Sequence, residues 1–183
     1  MNLEKKIKKS LTKKWRIRLK TSHPDKDNYD GVVICNKSDF VVLREEIDFE
    51  FNGVVFIPKR FIKSIRDGKY DKCGNEILRQ NGQLEQLNVP DWIFECENLN
   101  QILDSLKSQD IWAAIEIVSN KNSSFYIGPI TKIGKRNFRL HCYDAAGKWE
   151  SEYKLPISGI FKIEFDSKYC NYFNAFMKSK EKK

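Results

Sequence analysis

Three groups of basic residues are where this chain could do chemistry. Lys5, Lys6, Lys9 and Lys13 share one stretch near the N-terminus, and in a helix they would form a basic face able to track a nucleic-acid backbone. Lys59 and Arg60 follow a proline in a turn, and Lys135-Arg136-Asn137 fills a second turn. Cations in turns can donate charge-assisted hydrogen bonds to phosphate oxygens. The Lys135-Arg136-Asn137 turn could also stack on or hydrogen-bond a base. Each group has a plainer reading as well, as a solvated turn or a solubilising helix face.

Other chemistries lack their residues. His23 and His141 are the only histidines, and neither has Cys, Asp or Glu at ligand spacing, so no metal site is expected. Glu45, Glu46, Asp48 and Glu50 read as a solvated acidic hairpin. No glycine-rich phosphate loop and no nucleophile elbow occurs, so neither an enzyme nor a cofactor is expected.

The charge is unevenly placed. The net charge is +8, and residues 1–20 alone hold nine Lys/Arg against one Glu. The tail from Lys178 to Lys183 is also basic, which leaves a near-neutral body between two basic ends. Such ends suit nucleic acid, an anionic surface or an acidic partner. The five cysteines are odd in number and lack CxxC spacing, which favours a reducing compartment. With no signal-like apolar stretch behind the N-terminal lysines and no membrane-length run, a cytoplasmic protein with no membrane role is expected.

The elements that must position these residues come twice. Trp15 precedes Tyr29-Asp30-Gly31 as Trp112 precedes Tyr126-Ile127-Gly128, an offset of 97. Phe40/Phe138, Pro58/Pro156, Ile62/Ile160 and Ile65/Ile163 repeat at 98, and Tyr70/Tyr169 at 99. A slowly drifting offset marks two copies of one fold. In each copy an amphipathic helix (Leu3, Ile7, Leu11; then Leu99, Ile102, Leu103, Leu106) leads into five short strands. The strands of the first copy are expected at 15–20, 29–34, 40–43, 54–57 and 61–65. Those of the second are expected at 111–118, 124–130, 137–143, 149–155 and 159–165. A polar loop, His23 to Asn28, separates the first two. Helices are expected at 71–79 and 170–177, with Asn98 or Asn100 capping the second copy's leading helix.

This order resembles the Sm-like family, which includes the bacterial RNA chaperone Hfq. Gly31, Val33 and Phe40 stand where the family has a strand-two glycine and two apolar positions, and Gly128, Ile130 and Phe138 come close. The glycine suits a bent strand with no room for a side chain. Pro58/Ile62/Ile65 and Pro156/Ile160/Ile163 resemble the junction of the fourth and fifth strands. The resemblance implies a mainly β chain with short helices: two tandem Sm-like/SH3-like five-stranded barrels, each preceded by a helix. It divides the chain at 1–80 and 98–183, with 81–97 as a connector packed on a barrel through Trp92, Ile93 and Phe94. Tyr172, Phe173 and Phe176 are likewise expected to dock.

The family's uridine-pocket asparagine is replaced by Val41 and by Arg139. Lys59-Arg60 resembles the basic turn of Hfq, whereas Ile157-Ser158 is uncharged. Two functions stay open: a non-enzymatic protein contacting RNA through its basic helix and turns, and an assembly module offering edge strands to a protein or to another copy. On the first, replacing the four helix lysines should weaken binding more than replacing Lys59 and Arg60.

Overall fold

The computed structural model describes residues 3–23, 28–119 and 122–181. The expected loop at Pro24–Asp27 and the last two lysines of the tail lie outside the described residues. The fold is mixed: mostly antiparallel strands, with five helices. It divides into two compact units, Met1–Glu95 and Cys96–Lys183.

In the first unit, α1 (Leu3–Lys13) leads into β1 (Arg16–Thr21), β2 (Asn28–Asn36), β3 (Phe40–Ile47), β4 (Glu50–Pro58) and β5 (Ile62–Arg66). Then come α2 (Lys69–Gln80) and the four-residue α3 (Trp92–Glu95). The strand order is β5-β1-β2-β3-β4, all antiparallel. The two expected five-stranded barrels are not found as closed barrels among the described residues: no pairing of β4 with β5 closes the first, and the strands of the second unit are divided between two sheets.

The core is Ile17, Leu19, Val32, Val33, Phe40, Leu43, Val55, Phe56 and Ile57, all almost fully buried. The register of β2 against β3 shifts between Val33 and Cys35. A bulge leaves a backbone donor without a ladder partner. Ser10 answers it: its hydroxyl accepts from the Val33 N–H at 2.9 Å and donates to the Trp15 carbonyl at 2.6 Å. Trp92 is buried and stacks on Phe56 (6.1 Å, 20°), and Ile93 is fully buried, as expected of the connector, but Phe94 is exposed.

Salt bridges hold α1 down. Lys6 and Lys9 reach Asp67 at 2.9 and 3.2 Å, and Lys59 reaches Glu4 at 2.8 Å. Burial alone would raise the Asp67 carboxyl, but the hydrogen bonds from Lys6 and Lys9 outweigh it and hold it below its usual value. Glu4 is lowered by Lys59 and then by Asn36. A carboxylate depressed in the folded state stabilises above its unfolded pKa, about 4, and loses that contribution as pH falls through the folded value. The attachment of α1 should therefore be intact at pH 7 and weaken below about pH 4. Asp67→Asn should fray α1 already at pH 7, at a cost of about 1 kcal/mol. Amide chemical shifts of residues 3–13, followed against pH, would check both; a helix indifferent to pH and to the substitution would refute them.

The second unit runs α4 (Leu99–Ser108), β6 (Ala113–Ser119), β7 (Asn122–Gly128), β8 (Ile130–Ile133), β9 (Asn137–Tyr143), β10 (Trp149–Pro156), β11 (Ile160–Phe165) and α5 (Lys168–Glu181). Asn98 caps α4, its side chain accepting from the Gln101 N–H at 3.1 Å. The strand expected at 124–130 is split at Pro129, which lacks a ladder donor. Its halves join two sheets, β11-β6-β7 and β10-β9-β8. Taken through the split strand, the order repeats that of the first unit.

The repeat is offset by one residue from its sequence reading at the first strand. Ile17 faces Gly31, and Ala113 faces Gly128. Trp112 is therefore equivalent to Arg16, not to Trp15. The helices agree: Asn75 accepts from the Arg16 N–H (3.1 Å), and Asn174 donates to the Trp112 carbonyl (2.9 Å).

The same buried layer is thus built in two chemistries. In the first unit Arg16 bridges Glu46 (2.5 Å), Asp71 (3.1 Å) and Asp30 (3.1 Å). In the second the equivalent positions hold Trp112, Tyr143, Cys170 and Ile127, one apolar cluster with Trp149 and Phe173 against it. Burial pushes the Cys170 thiol up to about 11 and that of Cys142 to about 12. The acidic run is accordingly not a solvated hairpin throughout: Glu45 and Glu46 are buried, while Asp48 and Glu50 are exposed. Glu46 points inward because Arg16 is there to meet it.

Candidate nucleic-acid interface

The β8–β9 turn gathers several cations that no carboxylate neutralises among the described residues. Gly134 donates to the Asn137 carbonyl (2.8 Å) and closes the turn. Asn100 of α4 donates to the Gly134 carbonyl (3.4 Å), and the Ile157 N–H donates to the Arg136 carbonyl (3.0 Å). The turn backbone is braced from two sides, and Lys135 and Arg136 are left exposed.

Below the turn, register sets a row of cations. Lys132 of β8 and Lys154 of β10 both face Arg139 of β9. Side chains so paired stand about 5 Å apart on one face. Lys132, Lys135, Arg136, Asn137, Arg139 and Lys154 line a cavity of about 230 Å3. Glu152 neutralises Arg139 at 2.7 Å. No carboxylate lines the cavity, and Lys132, Lys135, Arg136 and Lys154 have no ion-pair partner among the described residues. Like charges set opposite one another destabilise a sheet. A merely soluble face would alternate its signs, so the row asks for an anion.

The remaining expected site residues are placed differently. Lys6, Lys9 and Lys59 are tied to Asp67 and Glu4, as described above. Lys9 also lies over the Trp15 ring, at 4.9 Å. Lys5 and Lys13 are exposed on α1. Arg60 lies over the Phe61 ring at 4.7 Å, and burial lowers its guanidinium below the usual value. The expected groups are therefore not one surface: Lys135, Arg136 and Asn137 share a cavity in the second unit, while the others belong to the first.

Lys132, Arg139 and Lys154 did not stand out in the sequence as cations of this site. Centring a hairpin on Lys135-Arg136 would have paired Ile133 with Phe138 and Lys132 with Arg139, which is the observed register. Lys154 needs the further pairing of β10.

Among the described residues no helix is long and apolar enough to cross a membrane, and no cluster of His, Cys, Asp and Glu could hold a metal ion. Compared with known proteins, the chain matches no family model, no curated protein and no solved structure.

Proposed function

We propose that the chain is a non-enzymatic, tandem Sm-like protein that binds RNA, and that the β8–β9 cavity of its second unit makes the main contact. The shared strand order, the leading helix of each unit and the glycine-pinned second strand support the family reading. Each unit is then an open counterpart of the family's barrel, with the second strand of the second unit divided between two sheets. The observation that carries the function is the set of unpaired cations Lys132, Lys154, Lys135 and Arg136 gathered around Arg139, whose own charge Glu152 balances. A phosphodiester backbone would enter as the counter-charge, with Asn137 beside it. Exposed Lys5 and Lys13 add long-range attraction, but α1 spends Lys6 and Lys9 on its own attachment.

The test is fluorescence anisotropy with a labelled single-stranded RNA from 50 to 200 mM salt. Joint replacement of Lys132, Lys135 and Arg136 by glutamine should weaken binding by more than tenfold. It should also flatten the salt slope by about 2, at roughly 0.7 per lost phosphate contact. Replacing Lys5 and Lys13 should do less. Equal affinity and slope in the triple variant would refute the assignment.

A second reading, a protein-interaction module, is favoured by one observation. Tyr172 and Phe176 of α5 are exposed beside Ala145 and Ala146, around an apolar hollow of about 290 Å3. These two aromatics do not dock as expected.

A further inference from the structure

A second cavity of the same unit has the opposite character. Two aromatic pairs wall a space of about 270 Å3. Phe125 of β7 meets Tyr169 of α5 edge-on, with centroids 5.9 Å apart at 70°. Tyr126 of β7 meets Tyr153 of β10 at 5.2 Å and 55°. The charged residues of the lining are Asp144 and Glu150, and no lysine, arginine or histidine lines it among the described residues.

Both carboxylates are placed by their surroundings. Asp144 accepts from the Ala146 and Lys148 N–H groups at 2.9 and 2.8 Å, which fixes it at the turn after β9. Glu150 raises the Tyr153 phenol above its usual value, by its charge and by a hydrogen bond, so it lies against the aromatic wall. Phe125 and Tyr169 are nearly half exposed, which packing of the chain alone does not account for.

We propose that this cavity binds one alkylated ammonium group. Aromatic faces carry negative potential, and a cation seated over them is attracted most when it sheds little water on entering. Ammonium and metal ions hold their water strongly. A quaternary or methylated ammonium is weakly hydrated, and its methyl groups pack against rings while Asp144 and Glu150 balance its charge. The aromatic walls come from strands and a helix, so the site is preformed. Its sign is opposite to that of the cation row, so the proposal stands or falls apart from RNA binding.

The experiment is a titration of the whole chain, followed by nuclear magnetic resonance, with choline and with 3,3-dimethyl-1-butanol, which has the same shape without the charge. Choline should give saturable shifts at Phe125, Tyr126, Tyr153 and Tyr169, and the alcohol should bind at least tenfold more weakly. Glu150→Gln, an exposed change that leaves the fold intact, should weaken choline at least threefold. Tyr153→Ala should abolish its binding and Tyr153→Phe should restore most of it. A trimethyllysine peptide, run beside choline, names the source: tighter binding of the peptide assigns a modified lysine, and equal or tighter binding of choline a free small molecule. Equal binding of the alcohol would reduce the site to an apolar hole. That outcome, or no saturable shift with either cation, overturns the proposal.

Discussion

Gly31→Ala and Gly128→Ala should each lower stability by roughly 3–4 kcal/mol, the sum of overpacking and backbone strain. A β-carbon on Gly31 would lie 2.3 Å from the Arg44 carbonyl oxygen, and one on Gly128 would lie 2.1 Å from that of His141. Both atoms are backbone in the neighbouring strand, so neither can swing away without breaking the ladder. Both glycines also hold positive φ, +157° and +149°, where an alanine is strained. Gly68→Ala is the control: nothing lies within 4 Å of its added carbon, and the change should cost no more than about 1 kcal/mol, the loss of a glycine cap on α2. Urea unfolding of the three variants decides the matter. Parent-like stability of either strand variant would mean that the neighbouring strands do not approach as described.

Arg16→Leu should cost the first unit roughly 3–5 kcal/mol, because it removes the shared cation of three largely buried carboxylates. Asp71 is fully buried and Glu46 nearly so. Asp71 keeps Arg66 at 3.0 Å and the Gly68 N–H at 2.8 Å, and Glu46 loses its 2.5 Å cation but keeps the Phe49 N–H at 2.7 Å. The second unit suggests a rescue. Changing all four positions to their apolar equivalents, Arg16→Trp, Asp30→Ile, Glu46→Tyr and Asp71→Cys, removes the buried charges together. Replacing a buried ion cluster by packed apolar groups is often neutral or stabilising. The quadruple variant should therefore regain most of what the single variant loses. Gly74, whose added β-carbon would lie 2.9 Å from the Arg16 side chain, stands where the second unit has Phe173 and must leave room for the indole. If the quadruple variant is no more stable than Arg16→Leu, the equivalence of the two layers fails.

Much of the architecture was legible because it rests on local chemistry. Asn98 capping α4, the prolines ending β4 and β10, and the glycines at the strand crossings all act within or beside their own element. The misread parts depend on what lies across the sheet. Glu46 looked like surface because charge normally stays in water, and Arg16 reverses that. Trp15 and Trp112 looked equivalent because both open a first strand, yet pairing with the second strand puts them one residue out of step. The cation row is a property of register, and no one strand contains it. Pro129 was visible, but that it would divide one strand between two sheets was not.

The two closing strand pairs also carry a sorting signal for the folding chain. β1 and β5, like β6 and β11, meet only after a long stretch of chain has folded back, and tandem copies of one fold are prone to exchanging such late strands. The apolar partners would not prevent it, since Ile65 against Leu19 and Ile163 against Ile115 are nearly the same pair. Their neighbours differ. Ser64 sits opposite Lys20, and Lys162 opposite Glu116. If β11 took the place of β5, Lys162 would face Lys20, two like charges in direct opposition. If β5 took the place of β11, Glu116 would lose its cation to a serine. One lysine–glutamate pair thus labels each closing strand for its own repeat, and refolding of Lys162→Ser should yield a larger misassembled fraction than refolding of the parent chain.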